Sequence, residues 1–227
     1  GGSGEVRVRG GETVKARHII VTVPLGALKR GRPAFEPPLP GDKEEAIKNM
    51  GMGQVEKVFF KFSEAEWGVL QGLGFSTSLT VALSPPSASV SWVSRILGLH
   101  RYTGTSFMVV WVTGPEPASQ MQQCSDASLI QQLHDFMSGL CLPEDAQKVP
   151  RASSVMRTRW TQDEYTGGSW SYIAAKSGKG DIRTLGRPEG DNLYFAGEAT
   201  DPHYFGTIHG AFMSGEREAE RIIAKGG

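Results

Sequence analysis

Polar and apolar positions alternate in Glu5-Val-Arg-Val-Arg9 and again in Glu12-Thr-Val-Lys-Ala16, on either side of Gly10-Gly11, and this predicts a β-hairpin. The continuous apolar run from His18 to Val23, ending at Pro24, has the profile of a strand buried on both faces. Leu25 to Arg30 is too short to predict a helix, and Pro33, Pro37, Pro38 and Pro40 impose an extended loop. Asp42 is placed to cap a helix running to about Asn49, with Ala46, Ile47 and Met50 on its apolar side; Gly51-Met-Gly53 then breaks it. Gln54 to Phe62 reads as a strand, and Trp67 to Leu83 as a region holding another. Residues 84–105 are rich in Ser, Pro and Gly and show no period. Ser106 to Thr113 is the best strand pattern in the chain. A helix is predicted from Ser125-Asp126 to about Leu140, with Leu129, Ile130, Leu133, Phe136 and Met137 at three- and four-residue spacing. Ser154 to Trp160 reads as a strand, Gly168 to Ile173 as a short extended piece, and Leu193 to Ala196 as a short apolar strand. A final helix runs from Thr207 to about Ala224, with Ile208, Ala211, Phe212, Gly215, Ala219, Ile222 and Ile223 along one face. There is no internal repeat, and the mixture is α/β or α+β.

Charge and composition narrow the class. With 24 basic against 24 acidic residues, the 227-residue chain's balance argues against a nucleic-acid-binding arm or a polybasic membrane anchor, while leaving room for a local patch. Glycine supplies 29 of the 227 residues, against an expectation of about 7 %. These glycines sit in short turns and point to backbone constraint. Cys124 and Cys141 form no CxxC and no metal spacing, so a reducing compartment, cytoplasmic or nuclear, is expected. No apolar run approaches the ~20 residues of a membrane span, and neither a span nor a signal peptide is expected from these residues. A hairpin feeding straight into a central strand is an unusual opening, and suggests a chain that starts inside something larger.

Three stretches carry candidate chemistry. In Gly51 to Phe62, alternation places Val55, Lys57, Phe59 and Lys61 on one face and Glu56, Val58, Phe60 and Phe62 on the other. Lys57 would then be desolvated between Val55 and Phe59; the alternative is an edge-strand lysine in solvent. In Arg159 to Tyr172, Trp160, Tyr165 and Trp170 surround Gly167-Gly168, as in a loop that presents rings to a planar cofactor or a cationic substrate. Ordinary core aromatics are the other possibility. In Asn192 to Gly215, a strand ends at Ala196 and Gly197-Glu198 follows, where a carboxylate can accept ribose or ribityl hydroxyls. The last helix opens at Thr207 with free N–H groups, and Gly210, Ala211, Ser214 and Gly215 let a ligand approach closely. His203 and His209, six apart, do not suit a metal site, and there is no Gly-x-Ser-x-Gly elbow and no phosphate loop.

Val21-Thr-Val-Pro-Leu-Gly-Ala-Leu-Lys29, the Gly-x-Gly-x-x-x-Lys ending at Lys57, Phe195-Ala-Gly-Glu-Ala-Thr200 and His209-Gly-Ala-Phe-Met-Ser-Gly-Glu-Arg-Glu-Ala219 together resemble the flavin-containing amine oxidases, the polyamine oxidases and lysine-specific histone demethylases among them. The resemblance implies that FAD oxidises an amine C–N bond, of a polyamine or a methylated lysine, to an imine while dioxygen becomes hydrogen peroxide. It implies that Lys57 holds a water against flavin N5, that Trp160 packs near the flavin, and that Gly197-Glu198 binds FAD. It also implies that the Thr207-Ile208 backbone meets the flavin, and that Trp170 and Thr207 form the substrate cage. Threonine at the second cage position is similar to the polyamine-oxidase and demethylase branches, whereas Trp170 departs from the usual tyrosine. The Gly-x-Gly-x-x-Gly unit that grips ADP in this family does not occur in these residues.

The implied architecture is therefore the C-terminal part of a two-domain FAD enzyme, with the N-terminal half of the same protein as its partner and the chain alone inactive. Residues 1–34 and 153–227 would belong to the FAD domain and 35–152 to a mixed-sheet substrate domain. A non-catalytic remnant of the fold and another flavoprotein, such as an amino-acid oxidase, are the competing readings.

Overall fold

The structure is a computed structural model that describes residues 3–75, 78–80, 91–102 and 104–226. In chain order the elements are β1 (Gly4–Arg7), β2 (Thr13–Ala16), β3 (Ile19–Val21), α1 (Leu25–Lys29), α2 (Gly41–Asn49), β4 (Gly51–Met52), β5 (Val55–Lys61), α3 (Glu64–Gly72), β6 (Ser78–Thr80), β7 (Ile96–Arg101), β8 (Phe107–Thr113), α4 (Pro115–Gln123), α5 (Asp126–Leu140), α6 (Pro143–Ala146), β9 (Ser154–Arg157), β10 (Ser171–Tyr172), α7 (Lys179–Leu185), β11 (Leu193–Phe195) and α8 (Ile208–Ala224). They form two compact units, residues 1–53 with 162–227 and residues 54–161. The changeovers lie later along the chain than the boundaries expected after 34 and 152: α2 packs on α7 within the first unit, and β9 with residues 160–161 is bound to β5 in the second.

The second unit is a five-stranded antiparallel sheet in the order β6-β7-β8-β5-β9. β5 and β8 pair from Val55↔Thr113 to Lys61↔Phe107. The expected alternation in β5 holds: Glu56, Val58 and Phe60 are fully buried, Lys57 and Phe59 half-buried. Val58, Phe60, Met108, Val110 and Val112 share one core with Leu129, Leu133 and Met137 of α5. Helix α5 begins where expected, with the Ser125 hydroxyl accepting the Ser128 N–H at 3.2 Å.

The region from Trp67 to Leu83 holds the expected strand at β6, paired with β7, but is entered through helix α3, which was not expected. Ser63 and Glu66 cap it reciprocally, and Trp67 and Leu70 form its buried stripe. Residues 76, 77 and 81–83 of that expectation, and 84–90 and 103 of the stretch without period, lie outside the described residues. Within 91–101, a 3-10 turn at Trp92–Arg95 leads into β7. The expected strand to Trp160 stops at Arg157.

In the first unit, β1 and β2 form the expected hairpin, registered from Gly4↔Ala16 to Arg7↔Thr13. β3 pairs in parallel with β11, Val21 opposite Phe195. It is shorter than expected and not buried on both faces, since Val21 is buried and Ile20 exposed. Leu25 to Lys29, too short to predict, is helical, with Leu25 and Leu28 in a core with Ile47, Ile182, Leu185 and Phe195. Asp42 does not cap α2, which starts at Gly41 behind Pro40; its carboxylate accepts the Lys43 N–H and pairs with Arg187. Lys43 is fully buried, and its Nζ donates to the carbonyls of Thr184, Leu185 and Arg187 at 2.9, 2.9 and 2.6 Å. It thus caps the last turn of α7. Burial pulls the Lys43 ammonium down to about 8, against the attraction of Glu189 3.3 Å away.

The expected apolar face of α8 is not its buried face. Gly210, Ser214 and Glu218 are buried, while Ile208, Phe212 and Ile223 are 91 %, 66 % and 72 % exposed. Small and polar groups let α8 pack closely: Ser214 Oγ accepts the Gly197 N–H at 2.8 Å, and buried Glu218 is paired with Arg217 and Arg221. Arg217 also donates to the carbonyls of Phe195 and Thr200, tying α8 to the end of β11.

Candidate functional site

Gly197, Glu198, Trp170, Thr207 and Ile208 all lie in the first unit, and Glu198 links the segments that carry them. Its Oε1 accepts the Ser171 N–H at 3.0 Å; its Oε2 accepts the Ser171 hydroxyl at 2.5 Å and the Gly206 N–H at 2.6 Å. Ser171 follows Trp170 and Gly206 precedes Thr207, so one carboxylate holds both expected cage residues in register. Three donors occupy three of a carboxylate's roughly four acceptor positions, leaving one on Oε1. Ser171 and Gly206 were missed in the sequence, where neither side chain suggests a site.

The aromatic stretch is held from its other side by β4. β10 pairs with β4, Ser171 opposite Met52 and Tyr172 opposite Gly51, and the Gly53 N–H donates to the Trp170 carbonyl at 2.7 Å. A Cβ on Gly51 would lie 2.3 Å from the Tyr172 ring. Gly51-Met-Gly53, read in the sequence as a helix breaker, is therefore the seat of the Trp170–Tyr172 strand. Upstream, the backbone at Gly167 rests on α1, where a Cβ on Gly26 would meet the Thr166 carbonyl oxygen at 2.1 Å. Arg30 donates to the Asp163 carbonyl, and the Arg32 guanidinium holds the Glu164 carboxyl below its usual range. Trp170 is 38 % exposed, against the core-aromatic alternative.

Thr207 is the N-cap of α8. Its Oγ1 accepts the Gly210 N–H at 3.0 Å and donates to the Tyr204 carbonyl at 2.5 Å. The hydroxyl is thus committed to the helix start, leaving its methyl and the first-turn amides of Ile208 and His209 as the groups presented.

Lys57 and Trp160 belong to the second unit. Lys57 stands opposite Trp111 across the β5–β8 ladder, its Nζ 4.4 Å from the centre of that ring. It is neither an edge-strand residue nor fully in solvent, because β5 lies between β8 and β9. Trp160 is 46 % exposed, and its backbone N–H donates to Glu56 Oε2 at 3.2 Å. Glu56 was also missed, although alternation alone puts it on the buried face, where a carboxylate requires donors.

The group implied by the resemblance is a flavin nucleotide, with ribityl hydroxyls, phosphates and a planar ring. Beside Gly197, the residue before Glu198, an added Cβ would meet nothing within 4 Å. Together with the first-turn amides of α8, this strip offers an acceptor for hydroxyls and donors for anionic oxygens, and so fits such a group. Among the described residues no cluster of His, Cys, Asp or Glu could hold a metal ion, and no helix is long and apolar enough to cross a membrane.

Comparison with known proteins agrees. The family model for flavin containing amine oxidoreductases matches residues 1–223. The chain is 33 % identical to the human peroxisomal N(1)-acetyl-spermine/spermidine oxidase, over 96 % of this chain and 45 % of that protein. It is 32 % identical to lysine-specific histone demethylase 1 homolog 1 of Oryza sativa subsp. japonica, over 93 % of this chain and 24 % of that one. Among solved structures, cyclohexylamine oxidase from Brevibacterium oxydans shares the fold with a TM-score of 0.69 at 19 % identity, over 95 % of this chain and 44 % of that one. The chain spans less than half the length of each of these proteins.

Proposed function

Because the chain belongs to the family of flavin containing amine oxidoreductases, we propose that the protein oxidises the C–N bond of an amine, a polyamine or a methylated lysine, with FAD as cofactor and dioxygen as acceptor. The observation that carries this reading is the Glu198 carboxylate, which ties the Trp170 segment to the start of α8. Bound flavin would supply the redox chemistry, taking a hydride equivalent from the carbon beside the amine and passing electrons to dioxygen.

The residues of this chain orient and enclose. Gly197, the remaining acceptor position of Glu198 and the amides at Thr207-Ile208 would hold the cofactor, and Trp160 would pack beside it. Lys57 would hold a water for proton handling at flavin N5. Trp170 walls the substrate path and stabilises a cationic amine by roughly 0.5–2 kcal/mol. The Thr207 methyl leaves room there for an extended substrate. Ile208, Phe212, Met213 and Ile223 expose apolar surface along α8. This supports a further part of the family fold, carrying the ADP-gripping glycine loop, packing on that helix. Cys124 and Cys141 are free thiols, which supports a reducing compartment inside the cell.

Peroxide release by the flavin-loaded protein, assayed with a polyamine, an acetylated polyamine and a methyl-lysine peptide, tests the reading. Peroxide with at least one of these, abolished by omitting the amine, is the expected result. Stable flavin binding without turnover on any of them would favour the non-catalytic remnant.

A further inference from the structure

Glu56 is a fully buried carboxylate that the proposed chemistry does not use. Among the described residues no lysine or arginine forms an ion pair with it; its charge is met by hydrogen-bond donors alone. The Thr158 hydroxyl donates to Oε2 at 2.5 Å, the Trp160 N–H to Oε2 at 3.2 Å and the Thr161 N–H to Oε1 at 2.9 Å. These donors belong to the residues just beyond the point where the β5–β9 ladder ends, at Val58↔Arg157. A backbone leaving a sheet there loses the ladder partners of its N–H groups. Glu56 receives them.

Thr158 extends the same network to the next residue of β5. Its N–H donates to the Lys57 carbonyl at 2.9 Å, and its Oγ1 accepts the Lys57 N–H at 2.9 Å while donating to Glu56. The Glu56 carboxylate therefore fixes both the backbone of Trp160 and, through Thr158, the backbone of Lys57. Gln122 Nε2 donates to the Thr158 carbonyl at 2.6 Å and secures the turn from α4.

We propose that Glu56 is a positioning residue for the Lys57–Trp160 pair, acting through Thr158 and the amides of residues 160 and 161. Charge matters as well as shape, because a neutral amide at this position would turn an N–H₂ donor toward backbone donors. The inference rests on the amine-oxidase reading only for the roles of Lys57 and Trp160; the clamp itself is a property of the second unit.

Two measurements on Glu56→Gln test it. Amide hydrogen exchange on the 227-residue chain is expected to speed up about tenfold or more at Trp160 and Thr161, while Val58 and Val110 in the sheet core keep their protection. Unchanged exchange at 160 and 161 overturns the clamp. In the flavin-loaded protein, Glu56→Gln is expected to slow the half-reaction that Lys57→Met slows. In the Lys57→Met background the same change should alter it less than about twofold. Equal slowing in both backgrounds would make Glu56 a staple for folding and overturn the positioning role.

Glu56→Asp, which keeps the charge, should recover part of the rate, and Thr158→Val, which keeps the carboxylate but cuts the link to Lys57, should reproduce part of the loss. These two variants replace Glu56→Gln if it does not fold. If no amine reduces the flavin, the amine-oxidase reading fails, and the exchange experiment alone decides on the clamp.

Discussion

Replacing Glu198 by alanine deletes three hydrogen bonds at once, from the Ser171 N–H at 3.0 Å, the Ser171 hydroxyl at 2.5 Å and the Gly206 N–H at 2.6 Å. Each bond to a charged acceptor contributes about 1.5–3 kcal/mol when both partners are withdrawn from water. Glu198 is only half-buried, so water can re-pair part of what is lost, and three bonds sharing one anchor do not add. The net loss should be about 2–4 kcal/mol, a fall in melting temperature of roughly 5–15 °C for a chain of this size. Calorimetry on Glu198→Ala measures the total, and amide exchange locates it, with Ser171 and Gly206 deprotected while the β3–β11 pair is not. Glu198→Gln, which keeps an acceptor but loses the charge, should fall between wild type and alanine. A melting temperature within about 1 °C of wild type, with Ser171 and Gly206 still protected, would refute the idea that this carboxylate joins the two segments.

Three further outcomes are expected. Lys57→Met should retain flavin yet slow its reduction or reoxidation by about 10²–10⁴ in stopped-flow; unchanged rates in both half-reactions would leave Lys57 as a sheet residue packed on Trp111. Trp170→Ala should raise KM and lower kcat for a long amine, and Thr207→Tyr should hurt a long amine more than a small arylalkyl one. Because Thr207→Tyr also removes a helix cap worth ~1 kcal/mol, melts must accompany the kinetics, and equal losses on both amines would remove the cage. For Lys43, pulled from 10.5 to about 8 in the folded chain, the unfolded state binds the proton more tightly, so its contribution to stability grows as pH rises from about 8 to 10.5. It reaches at most about 3 kcal/mol. Urea melts of wild type minus Lys43→Met should show that rise, and a flat difference would contradict it.

Strong local periods made β5 and α5 legible in the sequence, because each buries one face against a single core, whereas β8 was legible as an unbroken apolar run with Met108, Val109, Val110 and Val112 all buried. The strand expected within Trp67 to Leu83 is present as β6, but helix α3 ahead of it was missed because its apolar residues are few; the capping box at Ser63 and Glu66 was the available signal. In α8 the pattern was read correctly as a helix but its buried side was not. Close packing through Gly210 and Ser214 and the paired charge of Glu218 occupy the inner face, and the apolar residues face outward. Around the site, Lys57, Trp160, Trp170, Glu198 and Thr207 stood out as residue types. What positions them did not: Ser171, Gly206, Thr158 and the seats at Gly26 and Gly51 act through backbone groups and missing side chains, which no pattern of polarity records. Lys43 is the extreme case, a lysine on a short helix whose three carbonyl partners lie more than 140 positions away.

Anaerobic mixing of the flavin-loaded protein with an amine reports C–N oxidation most directly, since electrons can reach the flavin only from the substrate. With a polyamine or a methyl-lysine peptide, the visible flavin band should bleach within a single turnover, release one aldehyde equivalent per flavin and return when dioxygen is admitted. A flavin band unchanged by every amine tried, in a protein that is folded and fully loaded, would contradict amine oxidation as its function.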